Sequence, residues 1–175
     1  MVKRINTHGG GAQTNINGLQ FEQTTSLQDA LELAGYTVDS TKILKDGIEI
    51  GLSVPKRKLY TDFLELKENN IDYAKYNSKR WEPDECFINF NNKHIYIIEK
   101  KFQNSSGSVD EKLPSCHFKL LEYSKLFSEL EYFVVYLYVL NDWFKQKQYS
   151  DTLTYIEQMG CHYFYNEIPL DFLGL

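Results

Sequence analysis

Residues Pro83–Lys101 read PDECFINFNNKHIYIIEKK, and the fold turns on how that stretch is divided. It reads as two short strands, the second of which, HIYIIEKK, is apolar enough to run into a core. Asn91-Asn92 between them suits a two-residue type I′ turn, because Asn tolerates positive φ at both positions. In that hairpin Phe90 faces Lys93, paired residue numbers sum to a constant, and Asp84 falls opposite Glu99. Directly opposed side chains have Cβ atoms about 5 Å apart on one face of a sheet. Strand alternation places Lys101 on the same face, with Gln103 joining if the strand runs on.

Burying a carboxylate or ammonium is costly unless something pairs with it. Two opposed carboxylates are destabilising by themselves, and a hard divalent cation such as Mg2+ is one remedy. Such a cation lowers the pKa of bound water and polarises a phosphoryl oxygen. A neighbouring lysine orients or deprotonates the water, or stabilises the negative charge that develops. This is equipment for phosphodiester hydrolysis. A plain ion pair answers the same question, and a Glu-x-Lys triplet is most often solvated surface charge. The Pro-Asp, the hairpin register and the apolar lead-in Ile-Tyr-Ile-Ile set this one apart.

The 175 residues suit a single domain, 1–175, with a sizeable core. Hydrophobic and charged contents of 42% and 25% are those of a soluble globular protein. The net charge of -5 does not advertise a nucleic-acid binder, although a local basic patch can still steer a polyanion. No signal-peptide pattern opens the chain, and the longest apolar run, Tyr132–Leu140, is too short to span a bilayer. With three cysteines in no framework spacing, the expectation is a reduced, intracellular, cytoplasmic protein. Cys116-His117 and Cys161-His162 lack zinc-site spacing and read as packing residues. Gly9-Gly10-Gly11 lacks the Gly-Lys-Ser/Thr of a phosphate loop.

Along the chain, residues 1–15 read as a flexible arm, and helices are expected at NGLQFEQ and at SLQDALELA. Ser26 caps the second of these and Gly35 stops it. Tyr36–Pro55 reads as strands with Asp46-Gly47 as a hairpin turn. Lys56–Asn70 is predicted as an amphipathic helix through Leu59, Phe63 and Leu66. After the hairpin come a Ser/Gly loop and a helix over VDEKLPSCHFKLLEYSKLF, in which Pro114 is tolerable only if it lies in the first turn. The all-apolar strand Tyr132–Leu140 follows, then a helix from Asn141 to Met159 and a strand CHYFYN. The order is helix, three strands, helix, strand, helix, strand.

Pro83-Asp84 followed by Glu99-Lys100-Lys101 matches the PD-(D/E)xK signature, and the chain resembles that nuclease superfamily, in particular type II restriction endonucleases. Gly9–Glu22, Glu99–Leu113, Tyr136–Phe144 and Ile168–Leu175 also resemble stretches of those enzymes. The resemblance implies an α/β (α+β) fold with a restriction-endonuclease-like α-β-β-β-α-β core, its mixed central sheet flanked by helices. It implies Mg2+, with Mn2+ as a substitute, and cleavage of double-stranded DNA to 5′-phosphate and 3′-hydroxyl ends. On it, Asp84, Glu99 and the Lys100 carbonyl hold metal, and Lys101 serves the attacking water. Gln103 holds substrate or water, and Glu22 supports a second metal or its water. A homodimer on a palindromic site and a cognate DNA methyltransferase belong to the same expectation. Lys56, Arg57, Lys58, Lys79, Arg80 and Lys112 are candidate phosphate contacts. Two other readings stand beside it: a less specific DNA nuclease, and a non-catalytic DNA-binding module.

Overall fold

Helix α1, Leu27–Leu33, starts where the Ser26 hydroxyl accepts the Asp29 N–H at 3.4 Å. It ends where Gly35, at φ 84°, lets Tyr36 N–H reach back to the Leu31 carbonyl. Residues 26–105 and 107–175 are described by this computed structural model. The first fifteen residues, the NGLQFEQ segment and Glu22 therefore lie outside the described residues.

Seven strands form one sheet in chain order: β1 (Thr37–Asp39), β2 (Lys42–Lys45), β3 (Ile48–Ser53), β4 (Glu85–Asn89), β5 (His94–Lys101), β6 (Phe133–Leu140) and β7 (His162–Tyr165). Pairing is antiparallel from β1 to β5, then parallel from β5 through β6 to β7. Helices α2 (Val109–Lys112) and α3 (Cys116–Leu126) lie in the β5–β6 connection, and α4 (Ser150–Gln158) in the β6–β7 connection. The result is a mixed α/β fold with a mixed sheet flanked by helices.

Alternation along the central strands divides the core in two. Ile95 and Ile97 of β5, with Val134, Tyr136, Tyr138 and Leu140 of β6, pack against Tyr123 and Leu126 of α3 and Ile156 of α4. Tyr96 and Ile98, with Val135, Leu137 and Val139, pack against Leu27 and Leu31 of α1 and Leu173 of the C-terminal tail. Strand β6 is apolar throughout because both of its faces are covered. Gly51 in β3 is demanded by space, since a Cβ there would lie 2.2 Å from the Ile88 carbonyl oxygen of β4.

Several expectations needed correction. The loop at Asn91-Asn92 is not a type I′ turn: residues 90–93 form it, and Lys93 alone carries positive φ, 59°. Buried Asn89 organises it by accepting the N–H groups of Asn91 and Asn92 at 2.9 and 3.3 Å. Its amide in turn donates to the Leu173 carbonyl at 2.9 Å, tying the tail to the hairpin. The Asp46-Gly47 turn does have both residues at positive φ, 52° and 77°. Lys56–Asn70 is not a regular helix: it carries one π-helical segment, Tyr60–Leu64, closed by Glu65 N–H on the Tyr60 carbonyl. Pro114 splits its helix, giving α2, a 3-10 turn at Leu113–Ser115, and α3. The expected helix from Asn141 is two 3-10 turns before α4, broken where Gln146 is extended and Phe144 and Tyr149 turn into the core.

Candidate active site

The register of β4 on β5 pairs Glu85 with Ile98 and Asn89 with His94. One further step places Asp84 beside Glu99, as the sequence predicted despite the different turn. The Asp84 carboxylate accepts the Lys100 backbone N–H at 2.8 Å, which fixes it at the mouth of the strand pair. Lys101 Nζ then stands 2.7 Å from Glu99 Oε2, 3.5 Å from Asp84 Oδ2 and 3.1 Å from the Lys100 carbonyl oxygen. Three oxygens from three consecutive positions of the motif thus converge on one positive charge. Glu99 is only 8% exposed, so that convergence happens at the edge of the core rather than on open surface.

Burial works to lower the Lys101 pKa, but the Glu99 and Asp84 carboxylates outweigh it and hold the ammonium above the usual lysine value. Lys101 is therefore a donor in this arrangement. An oxygen-only donor set that already surrounds a cation fits Mg2+, which takes carboxylate and carbonyl ligands and keeps several waters. Among the described residues, no three of His, Cys, Asp and Glu come together as a metal-ligating group. The set is a carboxylate pair plus a carbonyl, and Glu22 is outside the described residues.

Gln103 departs from its expected place. Strand β5 ends at Lys101, so Gln103 does not continue the alternation. Its backbone is held by Asn141 through two hydrogen bonds, 3.1 and 2.8 Å, and its amide donates to Asp110 at 3.2 Å. Its Oε1 is buried without a hydrogen-bond partner, and the residue is 2% exposed.

The basic candidates divide. Lys56, Arg57 and Lys58 are exposed, and Lys56 N–H donates to the Pro83 carbonyl at 2.9 Å, beside Asp84. Arg80 is tied to Glu82 at 2.7 Å and lies over the Tyr60 ring. Lys79 Nζ lies over the Trp81 ring at 4.3 Å. Lys112 is exposed at the end of α2.

Two residues of the site were missed from the sequence. Lys119 of α3 reaches Glu99 Oε1 at 3.8 Å and stands over Trp81 at 4.1 Å. Burial holds its pKa below the usual lysine value, with Glu99 opposing and Lys101 and Lys79 adding to the fall. Tyr123, four residues on and on the same helix face, has a buried hydroxyl with no hydrogen-bond partner. Burial, with Glu99 and Asp84 nearby, pushes its pKa far up, so it stays protonated. The i, i+4 spacing puts Lys119 and Tyr123 on one helix face but does not aim that face at the site.

On the opposite face of β5, Lys100 Nζ meets Glu85 Oε1 at 2.7 Å, and the same oxygen accepts Leu27 N–H at 3.2 Å. Glu85 was not among the expected residues. No protein-family model, curated protein or solved structure matches the chain. Among the described residues, no helix is long and apolar enough to cross a membrane.

Proposed function

We propose that this protein is a Mg2+-dependent endonuclease that hydrolyses phosphodiester bonds of double-stranded DNA at specific sites, in the manner of type II restriction enzymes. The observation that carries the reading is the convergence of Asp84, Glu99 and the Lys100 carbonyl on Lys101 Nζ. Asp84, Glu99 and that carbonyl would hold the cation, whose charge acidifies water and polarises the phosphoryl oxygen. The Lys100 N–H holds Asp84 in place before any substrate arrives. Lys101, as an ammonium, donates to the scissile phosphate and offsets negative charge as it grows. Products would carry 5′-phosphate and 3′-hydroxyl ends. The reading extends to a two-fold homodimer cutting both strands of a palindromic site, with a DNA methyltransferase protecting the host.

A second reading, a DNA-binding module without catalysis, draws on the same ion pairs: Lys101 and Lys119 already pair with the two carboxylates. Plasmid DNA with Mg2+ separates the two. Discrete fragments from the wild type, absent with Lys101→Ala, Asp84→Ala or EDTA, support the restriction-type enzyme, whereas a smear supports a less specific nuclease. A folded protein that shifts DNA but cuts none, whichever divalent metal is supplied, supports the binding module and sinks the catalytic reading.

A further inference from the structure

Lys119 and Lys79 both stand over the ring of Trp81, at 4.1 and 4.3 Å from its centre. The ring itself is pinned. Its indole N–H donates to Glu122 at 3.2 Å, and Glu122 is neutralised by Lys125 at 2.5 Å. Phe118 meets the ring edge-on at 6.0 Å. Lys119 also links this platform to the carboxylate pair, because its ammonium lies 3.8 Å from Glu99. Trp81 is thus a rigid mount for two ammonium groups, of which Lys119 stands beside Glu99 and Lys79 acts on Lys119.

The local charge is unbalanced. Lys79, Lys101 and Lys119 supply three positive charges against two negative ones from Asp84 and Glu99, an excess of one. A divalent cation at the carboxylates would raise that excess to three. Lys101 and Lys119 share Glu99 between its two oxygens, so a cation taking Glu99 would compete with both of them. Lys119 would then need another anion. Its ammonium lies over the Trp81 ring and its side chain is 19% exposed, so an anion from solution can reach it.

We propose that Lys79 and Lys119, mounted on Trp81, form a binding subsite for a backbone phosphate of the nucleic acid, next to the phosphodiester held at Asp84, Glu99 and Lys101. This rests on the nuclease reading for its ligand, and it names residues that the PD-(D/E)xK motif does not include. Two lysine contacts to phosphate position a duplex without reading its sequence. Neutralising that phosphate releases its counterion and steepens the fall of affinity with salt.

The test is fluorescence anisotropy of a short labelled duplex, with Ca2+ in place of Mg2+ and salt varied. Wild type, the double variant Lys79→Met/Lys119→Met, and Lys119→Arg are compared. Methionine keeps an unbranched side chain and removes only the charge, and thermal melting checks that each variant is folded. The expected result is a slope of log affinity against log salt that is smaller by about one in the double variant, as one phosphate contact is lost. Lys119→Arg should keep the wild-type slope. An unchanged slope in the folded double variant overturns the subsite, as does a wild type that binds inorganic phosphate but no duplex. Plasmid cleavage by the wild type is read in parallel. Cutting with an unchanged slope overturns the subsite alone, and a lost slope without cutting overturns the nuclease reading alone.

Discussion

The end of β5 carries two carboxylate–lysine pairs, one on each face of the sheet, both closed to 2.7 Å: Glu99 with Lys101, and Glu85 with Lys100. Distance does not tell them apart; their surroundings do. Lys100 is 3% exposed at its side chain and meets the Glu85 carboxylate, which the Leu27 N–H also holds. Lys101 is 20% exposed, and its carboxylate is shared with Lys119 while a second carboxylate waits at 3.5 Å. The first pair anchors the strand to α1. The second has more charge than the pair can satisfy internally and has access to solvent. A buried pair of matched charge is a fixture, whereas a crowded, part-open one is where a ligand has something to gain.

If that contrast is right, the two pairs should fail differently. Lys101→Met or Asp84→Asn should lower DNA cleavage on the order of ten-thousandfold, equivalent to about 5.5 kcal/mol of transition-state stabilisation. Asp84→Asn should change stability by no more than about 1 kcal/mol, since the group is part-exposed and one of two like charges is relieved. Lys101→Met should cost less than Lys100→Met, because Lys119 still pairs with Glu99. Plasmid digestion and urea unfolding on the same preparations check both halves. Lys100→Met should do the reverse and cost about 3 kcal/mol of stability, because it leaves Glu85, whose side chain is 15% exposed, without this counterion. Adding Glu85→Leu to Lys100→Met should recover most of that loss. Equal stability losses for Lys100→Met and Lys101→Met would erase the distinction.

The carboxylate pair was legible because hairpin register is arithmetic. A two-residue turn at Asn91-Asn92 and the observed 90–93 loop give the same partner sums, so the wrong turn still placed Asp84 by Glu99. Alternation supplied Lys101 for the same reason, and it stopped supplying at Gln103, where Asn141 takes over the backbone. Lys119 arrives from a different element, and its approach depends on how α3 lies across β6 and Trp81. No local pattern encodes that. The basic runs were visible, but a run does not say that Arg80 is held by Glu82 while Lys79 is placed on a ring beside the site. Glu85 went unremarked because a strand position next to Pro-Asp reads as a passenger until its face is known. The amphipathic segment at 56–70 failed for a related reason: Leu59, Phe63 and Leu64 are buried, but a π-helical turn buries them as well as an α-helix would.

The smallest effect expected is the pH dependence of the closed pair. Burial raises the Glu85 pKa above its usual value of 4.5, with Lys100 and the Leu27 N–H opposing the rise. Glu85 Oε2 is buried without a hydrogen-bond partner, which explains why the opposition is incomplete. A raised value means that the folded protein keeps a proton the unfolded chain would release. The contribution to stability is therefore fully present below 4.5 and is lost as pH rises from there through the shifted value. Glu85→Gln removes this titration while leaving an acceptor for Leu27. Urea unfolding of both proteins in EDTA, across that interval, isolates the contribution because the other carboxylates cancel in the difference. Wild-type stability relative to Glu85→Gln should fall with rising pH and then level off. A difference that rises instead would mean that Lys100 outweighs burial at Glu85, so that the closed face, like the open one, is governed by its charges rather than by its lack of water.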